Sequence, residues 1–411
     1  MKVLVFTSLY PNKIEPNLGV FIKERMVHFA KLDGCQMKVV APVPYFPPFK
    51  INWRWKFSQI PEMEVRDGVE VYHPRYLMTP KVGMCLYGAL MFASVLRAVG
   101  KIRRDFEFDL IDAHFVYPDG FAALLLGRFF KTPVVVSARG SDINLYAGFP
   151  IIRRALQYVL KNADGVIAVC GALKEAIMRL NIDADKVTVI PNGVDAEKFR
   201  PVPRSAARAE LGLPVDKRIL LSVGGLVPRK GFDLLIKALR GVMDRAGADD
   251  LYLVIVGEGA ERKKLETLAA DVGLSKSVRF AGSVAHKDLH LWYSAADVFC
   301  LASSREGWPN VVLEAMACGT PVVATNVWGT PEIIRSDRVG LLTERTEAAI
   351  ADAISRSLEK DWRAEEISRY ARQHTWSNAA RAVRQVFESV LSRGRFVART
   401  AGAPHGAQVS S

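Results

Sequence analysis

Two glutamates flank a sequence that is typical of a loop running into a helix. Residues 304–325 read SREGWPNVVLEAMACGTPVVAT, with Glu306 before the expected helix and Glu314 one to two turns inside it. Glycine and proline in the first part indicate a turn, and the later proline with its apolar run indicates a buried strand. Because a helix start offers unpaired N–H groups and about half a positive charge, the segment predicts a phosphate-ester site. The carboxylates are suited to sugar hydroxyls.

Two adjacent cations follow another predicted strand in the same half of the chain. The strand that ends at Val223 continues as GGLVPRKGFDLL, which places Arg229 and Lys230 before a helix. Arginine can bind a diphosphate through two parallel hydrogen bonds, and lysine acts as a point charge. A solvated surface loop would explain these charges alone, but the second anion-binding helix start nearby favours a site.

Length and composition predict a two-domain protein that lacks metal clusters and disulfides. The chain has 411 residues, of which 50% are hydrophobic and 24% charged, and this length exceeds one ordinary core. Its five cysteines are widely spaced, without a CxxC or Cys/His cluster, so we expect reduced thiols and no zinc. No signal peptide is visible, and the uncharged run 82–96 is shorter than the roughly 20 residues of a membrane span. We therefore expect a cytoplasmic protein.

The net charge of +13 is concentrated in part of the first half. Residues 50–104 contain ten lysines and arginines against four acidic residues, interleaved with Trp53, Trp55 and Phe57. This composition suits the headgroup region of an anionic membrane. A solvated basic face over an ordinary core remains the alternative, and no nucleic-acid motif accompanies the charge.

Strands and helices alternate in both halves, which predicts an α/β protein with two parallel sheets. We expect an N-terminal Rossmann-like domain over 1–198, a second over 199–376, a helix over 377–395 that returns towards the first domain, and a disordered tail over 396–411. The stretch 191–214, rich in proline and charge, is interpreted as a linker. Two such domains facing each other would leave a cleft at their strand ends.

Two short motifs carry little weight. Gly257 and Gly259 form a lone GxG after a strand, and no GxGxxG fingerprint is present, which disfavours a nicotinamide enzyme. Asp183 and Asp185 form a DxD, which we interpret as turn chemistry rather than a metal site.

The chain resembles glycosyltransferase family 4, the retaining, metal-independent nucleotide-sugar transferases of the GT-B fold. The most specific part is EGWPNVVLEAMACGTPVVAT followed by GTPEII. VIPNGVDAEKF, GLVPRKG, VGEG, VRFAGSV and AADVF match in the same order, so that the resemblance covers roughly residues 1–392.

The resemblance implies a role for each motif residue. Glu306 would contact the donor sugar beside the reacting carbon, Glu314 the ribose hydroxyls, and Arg229 with Lys230 the diphosphate. Further donor-binding positions implied by it are Gly19, Gly257, Gly282, Trp308, Asn310 and Val311. Retention would follow from acceptor attack on the face that the diphosphate leaves, with no metal and no other cofactor.

The chain departs from the family pattern at two positions. Gly225 stands where the family usually has arginine, and Arg139, in Arg-Gly-Ser-Asp, stands where it often has histidine. Arg139 would then bind a phosphate or an acidic sugar. His114, at the end of another strand, is the nearest alternative imidazole, although a lone histidine there is more often a packed, hydrogen-bonded residue. Arg139 and His114 therefore join Glu306 as catalytic candidates.

The leading hypothesis is a retaining glycosyltransferase that uses a UDP- or GDP-sugar and a lipid-linked or membrane-proximal glycan acceptor. Envelope or exopolysaccharide synthesis, on the inner face of the plasma membrane, is the expected setting. A sugar-nucleotide epimerase on the same fold and a non-catalytic scaffold in polysaccharide assembly are the alternatives.

Overall fold

The computed structural model describes residues 1–50, 53–78, 83–246 and 250–401. The chain divides into two compact units. The first consists of Met1–Ala168, Lys174–Ile190 and the chain from Ala380 onwards, and the second of Val169–Leu173 and Pro191–Ala379. The second unit thus begins eight residues before the predicted boundary after residue 198.

The first unit is built on a long, mainly parallel sheet. Its strands are β1 (Lys2–Phe6), β2 (Gln36–Val40), β3 (Val43–Pro44), β4 (Met63–Arg66), β5 (Val69–Tyr72), β6 (Arg75–Tyr76), β7 (Leu110–His114), β8 (Val134–Ala138), β9 (Gly165–Ala168) and β10 (Val187–Val189). The helices in this part of the chain are α1 (Val20–Ala30), α2 (Tyr87–Asp105), α3 (Phe121–Phe130), α4 (Ser141–Asn144), α5 (Pro150–Asn162) and α6 (Gly171–Met178).

Eight of these strands form one sheet in the order β10-β9-β8-β7-β1-β2-β5-β4. Neighbours are parallel except for the antiparallel pair β4 and β5, while β3 pairs with β6 separately. The central strands β7 and β8 are buried along their whole length. Their continuous apolar character is what a parallel sheet covered on both faces requires.

The second unit repeats the arrangement with a smaller sheet. Its strands are β11 (Arg218–Val223), β12 (Leu251–Val256), β13 (Val278–Gly282), β14 (Val298–Leu301), β15 (Val322–Thr325) and β16 (Gly340–Thr343). Its helices are α7 (Arg204–Leu211), α8 (Phe232–Ala246), α9 (Arg262–Asp271), α10 (Leu289–Ala295), α11 (Asn310–Ala317), α12 (Thr330–Ile333), α13 (Glu347–Glu359) and α14 (Ala364–Ala371). α15 (Trp376–Ala401) follows them.

In each sheet the strand order reverses beside the first strand. β1 lies between β7 and β2, and β11 lies between β12 and β14, with all pairs parallel. In open α/β sheets, ligands bind at the carboxyl ends of the strands beside such a reversal. The fold therefore marks two places, after β1 and β7 and after β11 and β14. The predicted α/β class with two Rossmann-like units is confirmed.

The predicted linker contains a helix, and the predicted disordered tail begins inside another. The presumed linker contains α7, which follows Pro203 and ends at the left-handed Gly212, because its alanine-rich sequence favours helix. The predicted disordered tail begins inside α15, which continues to Ala401, while 402–411 lie outside the described residues. The described part of 396–411 is helical because neither glycine nor proline interrupts it there.

Helix α2 contains most of the long uncharged run. Together with the preceding turn it forms Met84–Asp105, the one stretch among the described residues long and apolar enough to cross a membrane, with a mean hydropathy of 1.4. Met91, Val95 and Val99 are buried, whereas Arg97 is exposed on another face. A core helix with one solvated face passes the same test of length and composition.

The close approach of residue 193 to the start of α15 generates a stability prediction. A Cβ at Gly193 would collide with the backbone of Thr375 and Trp376, whereas one at Gly241 in α8 would meet only Ala351, 3.8 Å away. We expect Gly193→Ala to lower the free energy of unfolding by about 1–3 kcal/mol through overpacking. Gly241→Ala, the control, should be neutral or slightly stabilising. Equal urea midpoints for both variants would contradict the prediction.

Candidate active site

The loop after β14 carries the predicted sugar-side carboxylate. Glu306 lies between the end of β14 and the start of α11, and its side chain is 10% exposed. Lys230 Nζ donates to Glu306 Oε1 at 2.5 Å, and Ser303 Oγ donates to the same oxygen at 2.7 Å. An Arg229 guanidinium nitrogen lies 3.6 Å from it. The structure therefore brings Glu306, Arg229 and Lys230 together at the reversal between β11 and β14.

The two cations decide the charge of Glu306. Burial alone would raise the pKa of this carboxyl, but Lys230, then Arg229 and Ser303, outweigh that effect and lower it below its ordinary value. Glu306 is therefore ionised at neutral pH. A buried carboxylate held in this way can stabilise positive character that develops close to it.

The backbone fixes Lys230 beside β14. Pro228–Lys230 form one 3-10 turn that ends at Gly231, whose φ is +68°. A Cβ at Gly231 would collide with the carbonyl oxygen of Ala302, so glycine is needed both for the angle and for the approach. Ser304 N–H donates to Arg229 O at 2.8 Å. The loops after β11 and β14 are thereby locked together.

The second predicted carboxylate has a separate set of partners. Glu314, inside α11, is 7% exposed. Tyr293 OH donates to its Oε2 at 2.9 Å, and His286 Nε2 lies 2.9 Å from its Oε1. The ring of Phe199 packs edge-on against His286 and Tyr293, with centroids 5.1 and 6.0 Å away. Each carboxylate oxygen retains a lone pair for a ligand hydroxyl.

Sequence reasoning missed His286, Tyr293 and Phe199. These residues come from a 3-10 turn, from α10 and from the stretch before α7, and only the fold brings them to α11. Neither of the two histidines in AHKDLHLWY carries a local signal of a carboxylate partner, and a tyrosine among apolar residues is typical of a core.

The other predicted positions in this unit surround the same strand ends. Gly257 has a φ of +144° and lies so close to the Gly224 carbonyl that no Cβ would fit, and its N–H donates to Gly282 O at 2.8 Å. Asn310 opens α11, and its Oδ1 accepts from Asn192 Nδ2 at 3.1 Å. Val311 is the next residue of that helix.

Trp308 is 7% exposed, and its indole nitrogen has no hydrogen-bond partner among the described residues. Since Trp308 stands between Glu306 and the start of α11, an unpaired donor is buried in the predicted donor-binding loop. Gly225, where the family usually has arginine, has open space instead: a Cβ there would meet only Glu258 O, at 3.9 Å.

The candidates of the first unit lie at its own reversal point. His114 ends β7 and is fully buried, its Nε2 3.0 Å from an Asp112 carboxylate oxygen and its Nδ1 in contact with a terminal nitrogen of Arg139. Burial lowers the pKa of His114 to about 4, with Asp112 opposing and Arg139 adding to that shift. The imidazole is therefore neutral at pH 7, with its proton on the nitrogen that faces Asp112 and an acceptor towards Arg139.

Arg139 is itself buried, and its guanidinium lies 5.5 Å from the ring centroid of Phe21. Asp142, which sequence reasoning did not single out, builds this loop by accepting from the N–H groups of Arg139, Gly140 and Val116 at 2.8 to 3.2 Å. The Arg-Gly-Ser-Asp sequence thus folds as a capped turn that fixes the arginine.

Gly19, the predicted glycine loop, precedes α1 with a φ of +63°, and a Cβ there would collide with the Leu9 carbonyl. Leu9 belongs to the loop after β1, where Ser8 Oγ donates to Asp119 at 3.1 Å. Burial raises the pKa of Asp119 to about 7, although bonds from Ser8 oppose it. Gly19, His114 and Arg139 thus lie in the first unit and the other predicted residues in the second.

Two doubly wound units, one with a buried carboxylate beside paired cations, define the class of GT-B glycosyltransferases, and comparison with known proteins agrees. Residues 19–198 match the model described as Glycosyltransferase Family 4, and residues 203–374 match Glycosyl transferases group 1. TuaC of Bacillus subtilis (strain 168), whose name assigns it to teichuronic acid biosynthesis, is 31% identical over 89% of this chain and 91% of its own. The chain belongs to glycosyltransferase family 4.

Solved structures show the same fold. Sucrose-phosphate synthase from Thermosynechococcus elongatus aligns with a TM-score of 0.78 and 22% identity, over 95% of this chain and 99% of that one. HepE of Anabaena, in complex with UDP and glucose, aligns with a TM-score of 0.72 and 21% identity, over 95% and 100%. The protein is a glycosyltransferase, which favours the leading hypothesis over the epimerase and scaffold alternatives.

The Lys230–Glu306 pair generates a pH prediction. In Lys230→Met, burial continues to raise the pKa of Glu306 while its strongest opposing charge is lost, so the carboxyl should titrate at a higher pH. We expect turnover to fall about 100-fold or more and the acid limb of the pH–rate profile to move upward. Lys263→Met, on the exposed face of α9, is the control. An unshifted acid limb would show that Lys230 does not set the charge of Glu306.

The contact between His286 and Glu314 generates a second prediction. His286→Ala removes one partner of a buried carboxylate, so we expect the KM for the activated-sugar donor to rise about tenfold, with a smaller change in kcat. The control is His290→Ala, four residues along, whose ring faces the Lys287 carbonyl instead. Equal donor KM values for the two variants would remove His286 from the site.

Proposed function

We propose that the protein transfers a sugar, with retention of anomeric configuration, from a UDP- or GDP-sugar to a glycan or lipid-linked acceptor. The observation that carries this proposal is the contact of Glu306 with Lys230 and Arg229 at the reversal between β11 and β14. This contact places an ionised carboxylate and two cations where a doubly wound unit binds its ligand.

Charge development explains why these residues suit the reaction. When the bond from the anomeric carbon to the diphosphate breaks, its electron pair leaves with the diphosphate and the carbon becomes positive. Arg229, Lys230 and the start of α11 are placed to stabilise the leaving anion without a metal. Glu306 is placed to stabilise the positive carbon.

Retention requires the acceptor to attack from the face that the diphosphate leaves. The acceptor oxygen then bonds to the anomeric carbon, and its proton passes to the departing phosphate oxygen. We favour this route over a covalent glycosyl-enzyme. Glu306 Oε1 already accepts hydrogen bonds from Lys230 and Ser303, which makes it a weaker nucleophile. Glu306 then acts through its charge.

Glu314 is proposed to bind the ribose hydroxyls, supported by its fixed orientation between His286 and Tyr293. The indole N–H of Trp308 has no acceptor among the described residues, which supports a hydrogen-bond acceptor of the nucleotide sugar beside Glu306. The backbone of β13 would border the base. The UDP in the HepE structure favours a UDP-sugar over a GDP-sugar as the donor.

In the first unit we propose different roles for the two catalytic candidates. His114 is fully buried, with both ring nitrogens facing side chains, so it is a positioning residue. Arg139, which it contacts, would face the donor or acceptor anion once substrate binds. Because the histidine is neutral, it adds no positive charge beside Arg139, although burial and the charge of the buried Arg25 both lower the pKa of Arg139.

The proposed acceptor is membrane-proximal, on the inner face of the plasma membrane. Tyr45 and Phe49 are 54% and 66% exposed, and Lys50 lies 5.3 Å from the Trp55 ring centroid. Exposed aromatic residues beside lysine suit an anionic membrane surface. The relative named for teichuronic acid biosynthesis supports a cell-envelope setting.

A donor screen tests the proposal. Purified protein is mixed with UDP- and GDP-sugars, with and without membrane extract, and nucleotide release and thermal shifts are measured. We expect release that persists in EDTA and a product of retained configuration by NMR. No release and no shift from any nucleotide sugar would overturn the proposal, and activity that EDTA abolishes and a divalent cation restores would overturn metal independence.

Glu306→Gln separates the chemistry from binding. It removes the charge while keeping the shape, so we expect turnover to fall about 100- to 1,000-fold with donor affinity changed less than about threefold. Glu344→Gln, an exposed residue of the same unit, is the control. Unchanged turnover in Glu306→Gln would remove this carboxylate from the mechanism.

A further inference from the structure

A cationic hollow lies on the first unit, and none of its lining residues is a candidate residue of the sites described above. It has a volume of about 370 Å³, and its lining includes Gly148, Arg153, Arg154, Gln157, Arg179 and Asn181. Three of these residues are arginines, and no carboxylate occurs among the described residues that line it. The hollow therefore carries three positive charges without an opposite charge in its wall.

Helix α5 explains the position of two of the arginines. Ile152, Leu156 and Val159 face the core, and this leaves Arg153 and Arg154 exposed on the opposite side. The helix is thus amphipathic, with its basic residues close to its first turn.

The third arginine comes from the end of α6. Gln157 Nε2 donates to Leu180 O at 3.1 Å, which ties α5 to the chain beside Arg179. Arg179 has one weak opposite charge, an exposed Glu175 carboxylate oxygen 3.9 Å away, and that residue does not line the hollow. Exposed pairs of this kind bind each other weakly, so an external anion can compete.

Large apolar side chains are exposed beside this hollow. Phe149 and Ile151, at the start of α5, are 47% and 65% exposed, and Leu145 just before them is 43% exposed. Phe149 is four residues from Arg153 and accepts its backbone N–H at 2.8 Å, so the two lie on one side of the helix. Arginines next to exposed aromatic and aliphatic side chains match a phosphate layer with acyl chains next to it.

We propose that this hollow binds the phosphate groups of anionic lipid headgroups, with Phe149 and Ile151 inserted among the neighbouring acyl chains. This inference rests on the membrane-proximal acceptor of the proposed function. It adds a second membrane contact, outside residues 50–104. Arginine is suited to this ligand because its planar donors can bind two phosphate oxygens at once.

The test is sedimentation with vesicles of phosphatidylcholine, with and without about one third phosphatidylglycerol. The variant Arg153→Gln/Arg154→Gln/Arg179→Gln should bind the anionic vesicles at least about tenfold more weakly and with less salt dependence, since each basic residue at such a surface contributes roughly a factor of five. The matched control, Arg338→Gln/Arg363→Gln/Arg369→Gln, removes the same charge from exposed positions of the second unit and should bind like the wild type. Equal losses in both variants would reduce the effect to net charge and overturn the proposal.

Two further arms identify the ligand. Phe149→Ser/Ile151→Ser should also weaken binding to anionic vesicles. If it does not, and inorganic phosphate releases the protein where chloride of equal ionic strength does not, the hollow binds free phosphate and the lipid assignment is wrong.

Nucleotide release from the donor is measured on every variant. None of the altered residues belongs to the proposed catalytic machinery, so release without acceptor should equal that of the wild type. If the wild type fails to bind vesicles but still releases nucleotide, the lipid-binding proposal is wrong and the proposed transferase activity is unaffected. If no protein releases nucleotide, the result counts against the transferase activity alone.

Discussion

The nearly buried ion pair between Lys230 and Glu306, whose side chains are 11% and 10% exposed, is the interaction on which the candidate site of the second unit depends. Removing a carboxylate from water is costly, and a buried pair often adds little net stability compared with apolar residues of the same size. The fold nevertheless brings Lys230 Nζ within 2.5 Å of Glu306 Oε1. It does so through Gly231, whose left-handed backbone lies so close to Ala302, just after β14, that only glycine fits there. A contact that is expensive for stability and closely specified by the backbone points to function as the reason for its presence.

The first unit has a buried cation close to its own reversal of strand order. Arg139 follows β8, the neighbour of β7, and contacts a neutral histidine whose other nitrogen faces Asp112. Both units therefore place a desolvated charge at or next to the reversal of strand order, where the field of the charge acts through few intervening waters.

Sequence alone was sufficient where the chemistry is local. Glu306, Arg229 and Lys230 each stand in a loop between a recognisable strand and helix, so their position at a strand end followed from pattern. The partners of Glu314 could not be found in this way, because His286, Tyr293 and Phe199 come from separate elements and meet only through packing. Asp142 was missed although it lies in a motif that was noticed, since its three backbone bonds appear only once the turn is formed. The α7 helix was missed because prolines at both ends resemble a linker.

The chain departs from the family pattern at Gly225, which lacks the usual arginine, and at Arg139, which replaces the usual histidine. Arg139 does not take over the place of the arginine missing at Gly225. Arg139 is buried and contacts His114 and the ring of Phe21, whereas a Cβ at Gly225 would meet only the backbone oxygen of Glu258, at 3.9 Å. Of the remaining cations in the second unit, Lys230 already bonds to Glu306, whereas Arg229 has a longer contact of 3.6 Å and a side chain that is 45% exposed. Arg229 can therefore turn towards a diphosphate without leaving the carboxylate unpaired. We therefore propose that Arg229 and the N–H groups at the start of α11 contribute most to stabilising the leaving diphosphate, and that Lys230 both adds to this and keeps Glu306 ionised.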